Sequence, residues 1–317
     1  MRKDIKKYVR TCHSCQTRKG TRNQKPAGEL ISLSVGQPFA RIGTDLIGPL
    51  PRSKSGKKWI TVAIDYATRY CEAQAIRSGT APVVAKFLVD NIILRHGAPV
   101  EILSDRGQVY RSSLVTGIVN ALGSKQIYTT AYRPQVNGAC ERINGTLVSM
   151  LTHYTSSLQK DWDVYLNYAV FAYNTARQES TGYSPFELVF ARQARLPVEA
   201  ALPPIDSDVK QRVSEIIETV EKARQAAVAG ITKHANVDKV RYDKKRRHVE
   251  FKVGDKVLLY DPSRRKQHCK KLSHDFIGPY TIIDKLSPVN YKIDRKKPDA
   301  PDEVVHVERL SPFQERR

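Results

Sequence analysis

The 317-residue chain reads as an α/β domain followed by a helical connector and a small β-barrel. Three observations predict this. Between residues 41 and 195, short apolar runs alternate with stretches of helical periodicity. From 207 to 243 the chain is rich in Glu, Lys, Arg, Ala and Val, with no Pro and a single glycine, Gly230. From residue 249 onward, short β-type runs are broken by Gly, Pro and Asp.

The elements follow in order. Residues 41–47 read as a strand stopped by Gly48-Pro49. Residues 58–66 alternate Ile60, Val62, Ile64 and Tyr66, the pattern of a half-buried antiparallel strand with Asp65 in its polar phase. Residues 70–76 form a third strand. Val84, Phe87, Leu88 and Ile92 sit at helical spacing within 80–95, and Gly97 ends that helix. A fourth strand, 100–103, leads into Asp105; a helix (111–122) and a strand (125–129) follow. In a helix spanning 138–157, Ile143, Leu147, Met150, Leu151 and Tyr154 form one stripe. Glu141 lies two residues before Ile143, about 200° around the helix and off that stripe. Trp162, Tyr165, Leu166, Ala169, Ala172 and Tyr173 mark another buried face, and 181–192 close the domain as a turn and short helix. The connector is expected to be one long or two shorter exposed helices, ending in Lys244-Lys245-Arg246-Arg247.

Charge narrows the partners. The net charge is +21, and the basic excess runs through both termini and the middle rather than one tail. Such a surface points to a polyanion, most simply nucleic acid. No apolar run reaches the roughly 18 residues of a membrane span, and the first residues lack the apolar core of a signal peptide. Five cysteines do not make a disulfide framework, so a reducing compartment, cytosol or nucleus, is expected.

Three carboxylates carry the candidate chemistry. Asp45 stands inside an apolar strand, where a carboxylate needs a reason. Asp105 ends another strand, and Glu141 follows a Pro/Gln/Asn/Gly loop with 35 residues between the two. Converging carboxylates on separate elements suit two Mg²⁺ ions, which take oxygen ligands and complete their shells with substrate phosphates. Asp65 is expected to be a solvent-side or helix-capping carboxylate. Cys12-His13-Ser14-Cys15 supplies half of a tetrahedral Zn²⁺ site; no other His or Cys occurs before Cys71, so an incomplete site is expected. Cys140 is expected to pack as a small apolar residue.

The set Gly43-Thr44-Asp45, Ser104-Asp105-Arg106-Gly107 and Tyr132-Arg133-Pro134-Gln135-Val136-Asn137-Gly138, followed by Glu141, Arg142 and Asn144, resembles the integrases of retroviruses and gypsy-type LTR retrotransposons. The likeness covers nearly the whole chain. It implies four regions: 1–28, a remnant of the zinc-binding module in which Cys12 and Cys15 are the second half of a His₂Cys₂ set; 34–195, an RNase H-like core with a five-stranded mixed sheet; 205–247, a helical linker; and 248–315, an SH3-like DNA-binding domain signed by Gly278-Pro279-Tyr280. It implies that Asp45, Asp105 and Glu141 are the catalytic triad holding Mg²⁺ or Mn²⁺. Arg133, Gln135, Asn137 and Gly138 belong to the loop beside the site, Arg133 standing where His is common. The implied reaction trims the 3′ end of element DNA and joins the freed 3′-hydroxyl to target DNA. Expected partners are double-stranded DNA, further copies of the chain and chromatin, reached in the nucleus after a cytoplasmic stage. Phosphate contacts are expected from Arg133, Gln135, Asn137 and Arg142, from Lys244, Lys245, Arg246 and Arg247, and from Arg264, Arg265 and Lys266. The missing His pair reads as a start at an internal methionine. Two other readings stay open: a non-catalytic DNA-binding relative, and an RNase H-like nuclease.

Overall fold

The computed structural model describes residues 2–18, 27–28, 36–128, 138–195, 209–261, 274–294 and 303–315. They form two compact units, one built on Ser32–Thr129 with Pro134–Asn236, the other on Met1–Ile31 with Val237–Arg317. Two short helices, α1 (Arg2–Thr11) and α2 (His13–Arg18), open the chain and belong to the second unit.

The first unit begins with a meander of β1 (Arg41–Ile47), β2 (Trp59–Asp65) and β3 (Cys71–Ile76), paired antiparallel. Then α3 (Ala81–Phe87) runs through a π-helical turn, Leu88–Ile93, into α4 (Leu94–His96). Gly97 ends it at φ 90°, a conformation glycine adopts without strain. Next come β4 (Glu101–Ser104), α5 (Ser113–Ala121), which Ser112 caps by accepting from the Val115 N–H, and β5 (Lys125–Tyr128). β4 pairs parallel with β1, and β5 with β4, giving the order β3-β2-β1-β4-β5. Ile42, Ala63, Val84, Phe87, Ile102 and Val115 fill the face toward α3 and α5. The other face packs against α6 (Gly138–Tyr154) and α7 (Trp162–Thr175) through Ile60, Val62, Ile64, Leu103, Ile143, Leu147 and Leu166.

Helices on both faces correct two expectations. β2 is buried along nearly its whole length, not half-buried, because a covered sheet leaves no solvent side. Asp65 is therefore neither solvent-facing nor a helix cap. It is 1% exposed and accepts hydrogen bonds from Phe39 N (3.0 Å), Thr68 N (2.9 Å) and Thr68 Oγ1 (2.7 Å), organising the β2–β3 turn. Cys140 is buried among Ile143, Leu147 and Tyr173 as a small apolar residue. Two residues leave their expected stripes: Tyr154 is 65% exposed and stacks on Tyr165, and Ala172 is exposed.

A capping box at Ser184 and Glu187 starts α8 (Pro185–Phe190). The connector is one 35-residue helix, α9 (Val209–Asp243). It is not simply exposed: Ala227 and Ile231 are buried, and Arg224 Nε donates to Leu188 O at 3.0 Å. Gly230, the single glycine of this stretch, is a point of close approach. A Cβ there would stand 2.6 Å from Ser180 O.

In the second unit, β6 (Lys256–Tyr260), β7 (Phe276–Lys285), β8 (Asn290–Asp294), β9 (Glu303–His306) and β10 (Leu310–Pro312) form an antiparallel sheet ordered β10-β6-β7-β8-β9. Val257, Leu259, Ile282, Tyr291, Ile293 and Val305 make its core. Phe251–Val253, expected to start the first strand, precede it as a turn around Gly254. α2 lies against β7: His13 Nε2 donates to Gly278 O at 2.9 Å, and Thr17 Oγ1 meets His274 Nδ1 at 2.6 Å.

Candidate active site

Strand register places the first two carboxylates. Arg41 pairs with Glu101 where β1 and β4 run parallel, and Asp45 and Asp105 stand equally far beyond that pair. The two-residue period puts Asp45 on the same face as Ile47, and Asp105 on the same face as Leu103. Ile47 and Leu103 both pack in the core beneath α6. Both aspartates therefore lie at the carboxyl ends of adjacent parallel strands, under one helix. Open α/β sheets commonly place ligands at such ends.

α6 brings the third. Ala139, Cys140, Ile143, Leu147 and Leu151 bury one side of it against the sheet, leaving Glu141 exposed in its first turn. Asn144, three residues on and on the same side as Glu141, donates from Nδ2 to Asp45 Oδ2 at 2.7 Å. Asp45 Oδ1 accepts from the Leu46 N–H at 2.9 Å, and Asp105 Oδ1 accepts from the Gly107 N–H at 2.9 Å. Gly107 allows this tight turn: a Cβ there would lie 2.9 Å from the same oxygen.

Electrostatics tie the three together. Burial pushes the Asp45 carboxyl above its ordinary range. Bonds from Leu46 and Asn144 pull it down, while the fields of Asp105 and Glu141 push it further up. Beneath them, Thr44 Oγ1 donates to Val62 O at 3.0 Å and lies 3.4 Å from the buried Tyr110 hydroxyl.

Among the described residues, no three His, Cys, Asp or Glu side chains come close enough to hold an ion as they stand. The donor set nevertheless fits a hard divalent cation. Its ligands are oxygens, its carboxylates repel one another, and buried Asn144 Oδ1 accepts no hydrogen bond among the described residues.

The remaining predicted residues are scattered. Arg142 is exposed beside Glu141. Lys244 and Lys245 are exposed just past α9. Arg246 is already engaged, pairing with Glu308 at 2.9 Å and lying 4.2 Å over the Tyr242 ring. Arg247 is part-buried, and its carbonyl accepts from Gly28 N. Cys12 and Cys15 flank His13, whose ring turns to Gly278. Arg133, Gln135, Asn137, Arg264, Arg265 and Lys266 lie outside the described residues. The bond from Asn144 to Asp45 was missed, although the i to i+3 spacing from Glu141 was visible.

Residues 36–134 match the integrase core domain, and residues 278–312 match the integrase p58 C-terminal domain. The chain is 33% identical over 99% of its length to a retrovirus-related Pol polyprotein from transposon 412 of Drosophila melanogaster, covering 25% of that polyprotein. It is 28% identical over 97% of its length to the transposon Tf2-3 polyprotein of Schizosaccharomyces pombe, covering 22% of it. The chain thus spans about a quarter of the length of these relatives. In fold, it is similar to a chain of a simian T-cell lymphotropic virus intasome structure, solved with PP2A regulatory subunit B56 gamma. The TM-score is 0.61 at 17% identity, covering 100% of this chain and 92% of that one. With an integrase core domain matched over β1 to β5, an integrase p58 C-terminal domain matched in the second sheet and retrotransposon Pol polyproteins as relatives along its whole length, the chain carries the core and C-terminal domains of an integrase.

Proposed function

We propose that the chain trims the 3′ ends of its element's DNA and joins them to target DNA, with Asp45, Asp105 and Glu141 as the reacting centre. The observation that carries this reading is geometric: Asp45 and Asp105 stand at adjacent parallel strand ends, and Asn144, three residues after Glu141 on α6, bonds to Asp45. Two divalent ions, Mg²⁺ or Mn²⁺, would supply charge stabilisation for the attacking and leaving oxygens. Asp45 and Asp105 would hold them from the strand ends and Glu141 from the helix. Asn144 orients Asp45 by donating to its Oδ2. Arg142, Lys244 and Lys245 would neutralise phosphates, which positions DNA without reading its sequence. Double-stranded DNA is the substrate in this reading, further copies of the chain complete the assembly, and the work is done on chromatin in the nucleus.

The test is a joining assay with end-sequence oligonucleotides and plasmid target in Mg²⁺ or Mn²⁺. Wild type is expected to join. Glu141→Gln is expected to lose joining while retaining duplex affinity in EDTA. Joining that survives this substitution removes Glu141 from the centre. Cleavage of RNA–DNA hybrid without joining favours a nuclease instead.

A further inference from the structure

The turn between β1 and β2 carries charge that the three carboxylates leave unused. Residues 48–58 hold Arg52, Lys54, Lys57 and Lys58 and no acid, and Arg77 directly follows β3. Arg52 Nη2 and Arg77 Nε each lie 3.8 Å from the point where a Cβ on Gly56 would stand. The two nitrogens are therefore no more than twice that distance apart. Both arginines are exposed. Among the described residues, none of these five side chains makes a hydrogen bond or an ion pair. Asp163, the acid of α7 that meets this turn, is occupied: its Oδ2 accepts from Ser53 Oγ at 3.0 Å and from Ser55 Oγ. Two guanidiniums gathered with three ammonium groups and no acid of their own make a local positive field.

The base under these cations is firm. Lys54 N donates to Lys160 O at 2.8 Å, and Trp162 Nε1 donates to Pro51 O at 2.8 Å, tying the turn to the start of α7. Inside the turn, Ser53 is buried; Gly56 N donates to Ser53 O at 2.9 Å and Lys57 N to Ser53 Oγ at 3.0 Å. A loop already ordered costs less to bind. Register also puts it at the right end of the sheet. β1 and β2 are antiparallel, so the turn stands at the carboxyl end of β1, beyond Asp45. Asp45 pairs with Val62 and Val62 with Ala73, which places Arg77 past the Asp45 row. The offset is roughly 13 Å along the strands and about 10 Å across two strand spacings. Both fall within one turn of duplex, about 34 Å. Ala73 and Ala75 face the core beneath α6 and α7, as Ile47 does, and the two-residue period carries Arg77 to the face of Asp45.

We propose that the β1–β2 turn is a phosphate platform on which Arg52 and Arg77, flanking Gly56, hold the backbone of duplex DNA that passes the Asp45 end of the sheet. The proposal rests on the DNA-joining reading and adds a contact that reading does not contain. Arginine forks suit phosphate oxygens, since each donates two parallel N–H bonds. The platform reads no bases, so it acts on every sequence alike. Element ends and target present the same phosphates, and the assay below separates them.

The measurement uses the full chain and a fluorescent duplex in EDTA over a salt series. A chain carrying both Arg52→Gln and Arg77→Gln is expected to bind about tenfold more weakly, with the slope of log affinity against log salt lowered by about 1 or more. Its urea midpoint is expected to match wild type, since neither side chain bonds to the fold. Arg52→Lys with Arg77→Lys keeps the charge without the fork and is expected to restore the slope but only part of the affinity. Lys125→Gln is the control: Lys125 pairs with Glu101 at the opposite end of the sheet, and its loss is expected to leave the slope in place. A glutamine pair whose slope changes no more than that of Lys125→Gln overturns the platform. So does a loss confined to nucleosomal target with naked duplex bound as before, which makes the turn a protein contact instead. Weaker trimming of end-sequence duplex assigns the platform to element DNA. Unchanged trimming with more target needed for half-maximal joining assigns it to target DNA. The two proposals fail separately. Wild type that binds with platform-dependent slope but never joins refutes the joining reading and leaves the platform standing. Wild type that joins, beside a glutamine pair unchanged in binding and joining, refutes the platform alone.

Discussion

Two aspartates on neighbouring strands of one sheet have opposite surroundings. Asp65, at the end of β2, is 1% exposed, and at least three donors converge on it. Asp45, on β1, is part-buried, has one side-chain donor in Asn144, and feels two further carboxylates, Asp105 and Glu141. Burial raises both carboxyls above their ordinary range. The difference lies in what offsets that cost. At Asp65 the chain's own backbone and Thr68 do so. At Asp45 the Leu46 N–H and Asn144 offset part of it, while Asp105 and Glu141 add repulsion of the kind a divalent cation would relieve. A buried carboxylate is therefore a poor marker of a site by itself; the marker is whether the fold has already satisfied it.

The sharpest way to break the comparison is to remove Asp65. Asp65→Ala strands the Phe39 and Thr68 donors in a dry turn, and the expected loss is about 3 kcal/mol in urea denaturation. A loss under about 1 kcal/mol means that Asp65 is not what holds the turn. Arg69, which that turn sets in the left-handed region, should lose its fixed position in the same variant.

Asp45→Asn is expected to move stability the other way, and by less. A carboxyl raised in the folded state binds its proton more tightly there than in the unfolded chain. Its contribution is therefore greatest in acid and is lost as pH rises from the ordinary carboxylate range through the raised folded value. Asparagine removes that loss. The variant should be more stable than wild type at neutral pH, and its stability should fall less between acid and neutral pH. Asp65, raised in the same sense, keeps part of the slope. Joining should be abolished although the fold improves, the trade expected where function stores repulsion. Thermal melts across pH check this, and a destabilised Asp45→Asn would place Asp45 with Asp65 as a structural group.

Much of this contrast was legible in advance, but not all. Asp45, Asp105 and Glu141 stood out because one interrupts an apolar strand and the other two are spaced by 35 residues. Strand β1 and the start of α6 fall where the apolar pattern puts them. Asp65 was misread because alternation reports exposure only when one face meets water, and β2 is covered on both. The role of Gly230 was out of reach for a similar reason. A glycine inside a helical pattern signals a break or a close approach, and only the neighbouring chain, here Ser180 O, decides which. Arg69 left no trace in sequence, since its left-handed backbone is set by the turn around it.

The smallest effect on stability is expected at Asn144, and it tests the contrast most finely. Asn144→Leu removes the Nδ2 donor to Asp45, but it also removes an Oδ1 that is buried without an acceptor's bond among the described residues. Losing a bond and an unsatisfied group together is nearly neutral, so stability should change by about 1 kcal/mol or less. Function should not be neutral. Asp45 would lose the side-chain bond that both lowers its pKa and fixes its orientation, and a group that orients a ligand carboxylate is commonly worth about 10- to 100-fold in activity. The expected outcome is a folded, DNA-binding protein whose joining falls by that factor and recovers in part as Mg²⁺ is raised. Equal losses in stability and joining would instead make Asn144 a packing residue. In the variant, Asp45 keeps Leu46 N as its hydrogen-bond donor among the described residues, against the repulsion of Asp105 and Glu141.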